Sequence, residues 1–104
     1  MSDYNIEITK PAEIDLHEIG KYISKELLET DKAVEVIDKI SGAIFKLEEM
    51  PLRHAIVAED KLASQGIRKF IIDNYIVFYI VNEEDKMVTI IRILYKRRDW
   101  INLL

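Results

Sequence analysis

The chain has 104 residues and a formal net charge of −4 at pH 7, with 49% hydrophobic and 33% charged residues. These values predict one globular domain over residues 1–104 and exclude disordered, collagen-like and low-complexity chains. Because the chain has no cysteine, disulfides, thiolate metal sites and thiol nucleophiles are excluded. No apolar run approaches the ~18 residues of a membrane span. The start Met-Ser-Asp does not resemble a signal peptide. We therefore expect a cytoplasmic protein without a membrane partner.

The charge is unevenly distributed along the chain. Residues 1–60 carry seven Lys or Arg and fourteen Asp or Glu, a net charge of −7. Residues 61–104 carry eight Lys or Arg and five Asp or Glu, a net charge of +3. The acidic total argues against generic nucleic-acid binding, because phosphate contacts supply most of that affinity. The basic C-terminal part favours an anionic partner. The same charge distribution is also explained by two ordinary solvated faces without a charged partner.

The first predicted element is a strand over residues 3–9, because apolar Tyr4, Ile6 and Ile8 alternate with polar residues. A helix is predicted over residues 11–28, with Pro11 in its first turn. One face of this helix is apolar. Its apolar positions are Ala12, Leu16, Ile19, Ile23 and Leu27.

A second helix is predicted over residues 30–50. Thr30 is a suitable N-cap, and Pro51 stops the helix. The link between the two helices is short, so they are predicted to form an antiparallel hairpin.

Residues 51–65 lack a clear period and are predicted to be a loop. Three strands are predicted after it, with tight turns between them: Ile67–Ile72, Ile76–Val81 and Met87–Tyr95. Strands joined by tight turns form an antiparallel meander. The sequence therefore predicts a two-layer α+β domain of order β-α-α-β-β-β. An antiparallel sheet of at least four strands packs against a helical hairpin on one face.

The predicted core consists of apolar residues on the inner faces of these elements. They are Ile14, Leu16, Ile19, Ile23, Ile37, Ile40, Ile44, Leu47, Val77, Tyr79, Val81, Ile91 and Ile93.

The common catalytic and cofactor motifs are absent from the sequence: there is no GxGxxG, no phosphate-binding P-loop and no HExxH. His17 and His54 lack metal-ligand spacing, so no metal or cofactor is expected. Basic and aromatic residues are instead concentrated in the C-terminal part. They include Arg68, Lys69, Tyr75, Tyr79, Arg92, Tyr95, Lys96, Arg97, Arg98 and Trp100. Such side chains recognise RNA and phosphate, and they also occur on ordinary sheet surfaces and protein interfaces.

Several stretches of the chain resemble the RelE/ParE superfamily of bacterial toxin–antitoxin toxins, also called plasmid-stabilisation proteins. The N-terminal match is Ala12, Asp15-Leu16 and Ile19-Gly20-Lys21-Tyr22-Ile23, and the next is Leu47 with Met50-Pro51. The most specific match spans residues 66–104. It contains a Gly-hydrophobic-Arg strand, an Asn-Tyr-x-x-x-Tyr strand and an Arg-Ile-x-Tyr-x-x-Arg-Asp ending. Together these stretches cover nearly the whole chain.

The resemblance implies the fold predicted above and a growth-inhibiting toxin that a cognate protein antitoxin neutralises. It leaves the activity open between two branches of the superfamily. One branch cleaves mRNA on the translating ribosome without a metal, and the ParE branch poisons DNA gyrase without nuclease chemistry.

Individual positions can be compared with the nucleases of the superfamily. They commonly carry an arginine at the position of Ile76. The positive charge of that arginine would stabilise the transition state. Arg97 matches a nuclease arginine, Tyr95 stands where some members have histidine, and Glu59 lies near a loop glutamate that some nucleases use. If the chain is a nuclease, the resemblance makes these three the catalytic residues. The terminal residues Leu103 and Leu104 replace aromatic residues that stack on RNA bases in some nucleases.

These differences and the acidic net charge favour a ParE-like, non-nucleolytic toxin. The alternatives are a ribosome-dependent endoribonuclease and a non-toxic binding module or co-repressor with the same fold. The target-binding surface is predicted on the concave face of the meander and on the segment after the last strand. It would consist of Arg68, Lys69, Arg92, Lys96, Arg98 and Trp100.

Two structural roles compete with this assignment. Arg68 and Arg92 would instead pair with carboxylates of the helices, since Arg92 alternates with the apolar residues Ile90 and Leu94. The tail from Trp100 to Leu104 would simply pack onto the core.

Overall fold

The computed structural model describes residues 3–104, in which four strands and three α-helices are found. The strands are β1 (Asn5–Ile8), β2 (Arg68–Ile72), β3 (Tyr75–Asn82) and β4 (Met87–Tyr95). The helices are α1 (Lys10–Lys21), α2 (Thr30–Phe45) and the one-turn α3 (Asp60–Ala63). A π-helical turn spans Tyr22–Glu26, and 3-10 turns span Lys46–Glu48, Pro51–Arg53 and Trp100–Asn102. In this part of the chain no helix is long and apolar enough to cross a membrane.

The strands form one sheet in the order β1-β4-β3-β2. The pairs β2/β3 and β3/β4 are antiparallel, which confirms the predicted meander. β1 differs from the all-antiparallel prediction, because it pairs with β4 in parallel, from Asn5 opposite Met87 to Ile8 opposite Ile90. The sheet is therefore mixed. Alternation in a sequence indicates which face of a strand is buried but not the direction of its neighbour.

The helix α1 begins as the sequence predicts. The Thr9 side chain caps it by accepting a hydrogen bond from the Ala12 N–H at 3.3 Å, and Pro11 lies in the first turn. The α-helical part ends at Lys21, however, and not at residue 28. The chain continues as the π-helical turn, in which the Leu27 N–H donates to the Tyr22 carbonyl at 3.2 Å.

The helix α2 starts at Thr30 and ends at Phe45, short of the predicted end at residue 50. The predicted N-cap is wrong, because Thr30 is already helical and Glu29 is the cap residue, without a side-chain cap hydrogen bond. The 3-10 turn Lys46–Glu48 completes the segment before Pro51. Within the predicted loop 51–65, the structure adds the short helix α3.

The main core cluster lies between the helical hairpin and one face of the sheet, which we call the helix face. Val36, Ile40 and Ile44 of α2 pack there with Val77 and Tyr79 of β3. Both long helices therefore lie on one side of the sheet, as predicted.

A second cluster covers the opposite face of the sheet, which we call the tail face. It contains Ile76 and Phe78 of β3 together with Val57 and Leu62 of the segment around α3. The C-terminal side chains Trp100, Leu103 and Leu104 pack against this cluster. The strand β3 is therefore buried on both faces, which confirms the prediction that Ile76–Val81 is central.

Most of the predicted core residues are in place. Seven are buried: Ile23, Ile40, Ile44, Leu47, Val77, Tyr79 and Ile93. Five are half-buried: Leu16, Ile19, Ile37, Val81 and Ile91.

Ile14 was wrongly predicted to lie in the core, because its side chain is 51% exposed. Successive residues of an α-helix are turned by about 100°, so Ile14 lies about 200° from the buried Ala12 and faces solvent.

Leu28 at the tip of the hairpin has a strained backbone, since its φ is 55° and its side chain is 84% exposed. The left-handed region disfavours residues with a Cβ atom. We expect Leu28→Gly to raise the free energy of unfolding by about 0.5–1 kcal/mol, measured by urea denaturation. The neighbouring Leu27→Gly is the matched control, because the φ of Leu27 is −94° and glycine there relieves no strain, so its chain entropy and the lost side-chain contacts should lower stability. A loss of stability in both variants would contradict the expected strain.

Candidate target-binding surface

Three consecutive basic residues, Lys96, Arg97 and Arg98, form an exposed turn directly after β4. Their backbone is fixed, because the Lys96 N–H donates to the Asn74 carbonyl at 2.8 Å and the Arg98 N–H to the Tyr95 carbonyl at 3.0 Å. Within residues 3–104 none of the three side chains has an ion-pair partner. We call this segment the basic turn. Its unpaired like charges make it suited to an anionic partner.

Tyr95 is the last residue of β4 and lies on the helix face of the sheet. Its side chain is 39% exposed and contacts the Tyr75 ring edge-to-face, with 5.9 Å between the ring centroids. Burial raises the pKa of the Tyr75 hydroxyl, and the neighbouring Tyr95, Tyr22 and Asp73 raise it further. Tyr75 is therefore a protonated hydrogen-bond donor at neutral pH.

Arg92 is occupied within the protein. Its guanidinium donates to the two Asp15 carboxylate oxygens at 2.7 and 2.9 Å and to the Leu103 carbonyl at 3.0 Å. Asp15 also accepts the Ile93 N–H at 2.9 Å. Hydrogen bonding to Asp15 raises the pKa of Arg92. Arg92 thus joins α1, β4 and the tail. This agrees with the alternative prediction that Arg92 pairs with a carboxylate of the helices.

Arg68 also has internal partners, although they are not carboxylates. Its guanidinium donates to the carbonyl oxygens of His54 at 2.6 Å and Leu52 at 3.3 Å. These bonds hold the segment that follows Pro51 against β2 and leave only part of the side chain for a partner. Arg68 and Arg92 therefore both have a structural role, and their role in target binding stays a prediction.

Lys69 and Trp100 come together on the tail face. The Lys69 ammonium lies 4.7 Å from the centroid of the Trp100 ring, which in turn lies 5.2 Å from the Phe78 ring. A cation over an indole face is a favourable pair. The tail is thus packed onto the sheet through Trp100, while Ile101 beside it is 49% exposed.

Glu59 and Tyr95, two of the proposed catalytic residues, belong to different parts of the fold. It precedes α3, whose segment packs on the tail face through Val57 and Leu62, whereas Tyr95 contacts Tyr75 on the helix face. The Glu59 Oε2 atom is buried and has no hydrogen-bond partner in the described part of the chain. The segment that carries Glu59 and the ring of Tyr95 therefore pack on opposite faces of the sheet.

Ile76 occupies the position at which the resemblance expects a nuclease arginine. Its side chain is 4% exposed and belongs to the cluster of the tail face. An arginine there would have to bury its charge among apolar side chains, which is costly without a partner.

A cleft of about 670 Å³ lies between the helical hairpin and the ends of β3 and β4, and the sequence does not indicate it. Tyr22 lines it from the π-helical turn and Leu27 from the residue after that turn, while Tyr75 and Tyr95 line it from the strands and Arg98 from the basic turn. We call it the tyrosine cleft. Its lining comes from segments far apart in the chain, so no local pattern indicates it.

One protein-family model matches most of the chain. The model described as "ParE toxin of type II toxin-antitoxin system, parDE" matches residues 6–100. The chain belongs to the ParE toxin family. It is therefore a toxin of a type II toxin–antitoxin system. No curated protein sequence matches this ParE-family toxin significantly.

Solved structures share the fold of this ParE-family toxin. One from the chromosomal ParDE toxin–antitoxin system of P. aeruginosa has a TM-score of 0.73 and 19% identity and covers 89% of this chain and 96% of its own. One from the RelBE2 toxin–antitoxin complex of Mycobacterium tuberculosis has a TM-score of 0.66 and 20% identity and covers 89% of this chain and 98% of its own. A mutant E. coli toxin RelE in the free state has a TM-score of 0.67 and 13% identity and covers 99% of this chain and 93% of its own. At these identities the likeness shows the fold alone.

Proposed function

We propose that this ParE-family toxin acts on DNA gyrase and does not cleave RNA. The observation that carries the proposal is the buried Ile76, which replaces the arginine that nucleases of the superfamily place beside the scissile phosphate. Without that charge, the negative charge that develops on the phosphate in the transition state loses a stabilising partner. Gyrase is a cytoplasmic target, so the proposal places the activity in the cytoplasm.

Two further features support a non-nucleolytic activity. The segment that carries Glu59 packs on the tail face through Val57 and Leu62, whereas Tyr95 contacts Tyr75 on the helix face, which disfavours joint action on one phosphate. The terminal side chains Leu103 and Leu104 pack against the tail-face cluster, where base-stacking aromatic residues would be expected in some nucleases.

The ribonuclease alternative rests on Arg97. This residue matches a nuclease arginine by position, is exposed and has no ion-pair partner among residues 3–104. The third alternative, a non-toxic binding module, rests on the same Ile76 as the gyrase proposal.

Regulation by a cognate protein antitoxin is the second part of the proposal. The structural neighbours from P. aeruginosa and M. tuberculosis come from toxin–antitoxin systems. The two long helices expose apolar side chains to a protein partner, among them Ile14, Val34 and Phe45. An amphipathic antitoxin segment could bury them and fold on binding.

Induction of the toxin without antitoxin separates the three functions in cells. Gyrase poisoning predicts growth arrest with induction of the DNA-damage response and with intact mRNA. Codon-phased 5′ ends in translated mRNA would instead support the ribonuclease, and unchanged growth would support the binding module. Co-expression of the neighbouring open reading frame is the control, because a cognate antitoxin restores growth.

A further inference from the structure

Three of the residues that the sequence assigns to target binding make contacts that converge on the tail, residues 100–104. Lys69 and Trp100 contact each other, and Arg92 donates a hydrogen bond to the Leu103 carbonyl. The side chains of the basic turn are different, because they are exposed and have no ion-pair partner among residues 3–104. The structure thus separates the residues that hold the tail from the cations that can meet a partner.

The first anchor of the tail is the indole ring of Trp100. The Lys69 ammonium lies over this ring, 4.7 Å from its centroid, and the Phe78 ring lies 5.2 Å away on the sheet. A cation over an indole face stabilises the pair. The ring of Trp100 is half-buried and one of its faces is already covered, so it is poorly placed to stack on a target. A direct contact of Lys69 with the target would in turn break its pair with Trp100.

The second anchor is Arg92, at an irregularity of the sheet. The pairing of β3 with β4 shifts at Ile91, an extra residue without a partner in β3. Such a bulge bends the strand and redirects its side chains. β1 ends at Ile8, opposite Ile90, so β4 has no neighbouring strand on this side from Ile91 onward. From this free edge one guanidinium nitrogen of Arg92 reaches the Leu103 carbonyl at 3.0 Å.

The basic turn connects β4 to the anchored tail and is fixed at both ends. The Lys96 N–H donates to the carbonyl of Asn74, in the turn between β2 and β3, at 2.8 Å. At the other end the Trp100 N–H donates to the Arg98 carbonyl at 2.8 Å, so the anchored indole also holds the backbone of Arg98. Neighbouring like charges repel each other and favour an open segment. A backbone that is already ordered loses less entropy when it binds.

We propose that Lys69, Arg92 and Trp100 are positioning residues, which anchor the tail and thereby hold the basic turn in the conformation that binds the target. The cations of the basic turn make the contact with the target themselves. This inference rests on the proposed function, in which that target is an anionic surface of gyrase. It differs from the sequence-based prediction, in which the three positioning residues touch the target.

The fluorescence of Trp100 reports on the tail without a target, because Trp100 is the only tryptophan of the chain. Lys69→Met keeps the apolar stem and removes the charge. Arg92→Lys keeps the charge but lacks the planar fork that reaches several acceptors at once. Each variant loses one anchor, so we expect the quenching of Trp100 by acrylamide to increase about twofold or more in both.

Two control variants separate anchoring from charge and from general stability. Lys61→Met removes the charge of an exposed lysine in α3 and should not change the quenching. Thr9→Val removes the hydroxyl that donates to the Ile90 carbonyl at 2.8 Å, at the junction of α1 and β4. It should lower Tm and leave the quenching of Trp100 unchanged, because both anchors of the tail remain.

The salt dependence of gyrase inhibition distinguishes positioning from contact. A cation that touches an anionic target contributes to this dependence, and its removal reduces it. Lys69→Met is expected to raise the toxin concentration for half-inhibition of supercoiling by up to about fivefold and to leave its salt dependence unchanged. Arg98→Gln is expected to raise this concentration and to reduce the salt dependence as well.

The outcomes separate this inference from the proposed function. Unchanged quenching of Trp100 in Lys69→Met and Arg92→Lys would overturn the positioning role, even if the unchanged toxin inhibits gyrase. So would a salt dependence that Lys69→Met reduces as much as Arg98→Gln does, since Lys69 would then touch the target. If both variants expose Trp100 but the unchanged toxin leaves gyrase active, the proposed target is wrong and the anchoring of the tail is supported.

Discussion

Asp15→Ala is expected to lower the free energy of unfolding by about 3 kcal/mol, because it leaves the Arg92 guanidinium partly buried without its carboxylate. The Asp15 side chain is 11% exposed and that of Arg92 24%. The variant also removes the acceptor of the Ile93 N–H. For a domain of this size the loss corresponds to a decrease of more than about 10 °C in Tm. Thermal unfolding followed by circular dichroism measures it.

Glu13→Ala is the matched control on the same helix. Glu13 pairs with Lys10 at 3.3 Å, but the two side chains are 65% and 75% exposed, and exposed pairs contribute little. We expect the Tm of this variant to be nearly unchanged. In a double-mutant cycle, Asp15→Ala and Arg92→Ala together should cost less than the sum of the single changes. Additive costs would show that the ion pair does not couple α1 to β4.

Arg97→Gln is expected to abolish growth arrest while leaving the fold intact. The side chain is exposed and unpaired within residues 3–104, so its loss should change the free energy of unfolding by no more than about 0.5 kcal/mol. Its charge is nevertheless part of the basic turn, where an anionic surface of the target would bind. Tyr95→Phe removes one hydroxyl group beside this turn and is expected to have the same effect. Colony counts after induction measure toxicity.

Two comparisons make this prediction specific. Arg53→Gln removes an exposed arginine away from the basic turn and should remain fully toxic. Asp15→Ala should lose toxicity only as far as it unfolds, which Tm and the amount of soluble protein would reveal. If Arg97→Gln and Tyr95→Phe both stay fully toxic, the tail beyond Asp99 becomes the better candidate for target binding.

The fold was largely predictable because its elements have strong local periods. The alternation of Tyr4, Ile6 and Ile8 indicated β1, and the uninterrupted run Ile76–Val81 indicated a strand buried on both faces. The parallel direction of β1 was not predictable, since a strand pattern carries no information on its partner. The burial of Trp100, Leu103 and Leu104 on the tail face required the tertiary structure, which places them over Phe78.

The site was only partly predictable from the sequence. The position of Arg92 between apolar residues correctly suggested a carboxylate partner, which is Asp15. The partners of Arg68 are backbone carbonyls, and every residue has one, so no side-chain pattern indicates them. The tyrosine cleft combines residues from α1, the π-helical turn, β3, β4 and the basic turn. Only the tertiary structure brings these segments together.

DNA supercoiling by purified gyrase tests the proposed function most directly. The toxin, released from its antitoxin and added in micromolar excess, is expected to inhibit supercoiling and to trap cleaved DNA, and Arg97→Gln at the same concentration is expected to do neither. The same preparation should leave mRNA on translating ribosomes intact. Unimpaired supercoiling together with codon-phased cleavage of that mRNA would contradict the proposal and establish the chain as a ribonuclease despite its buried Ile76.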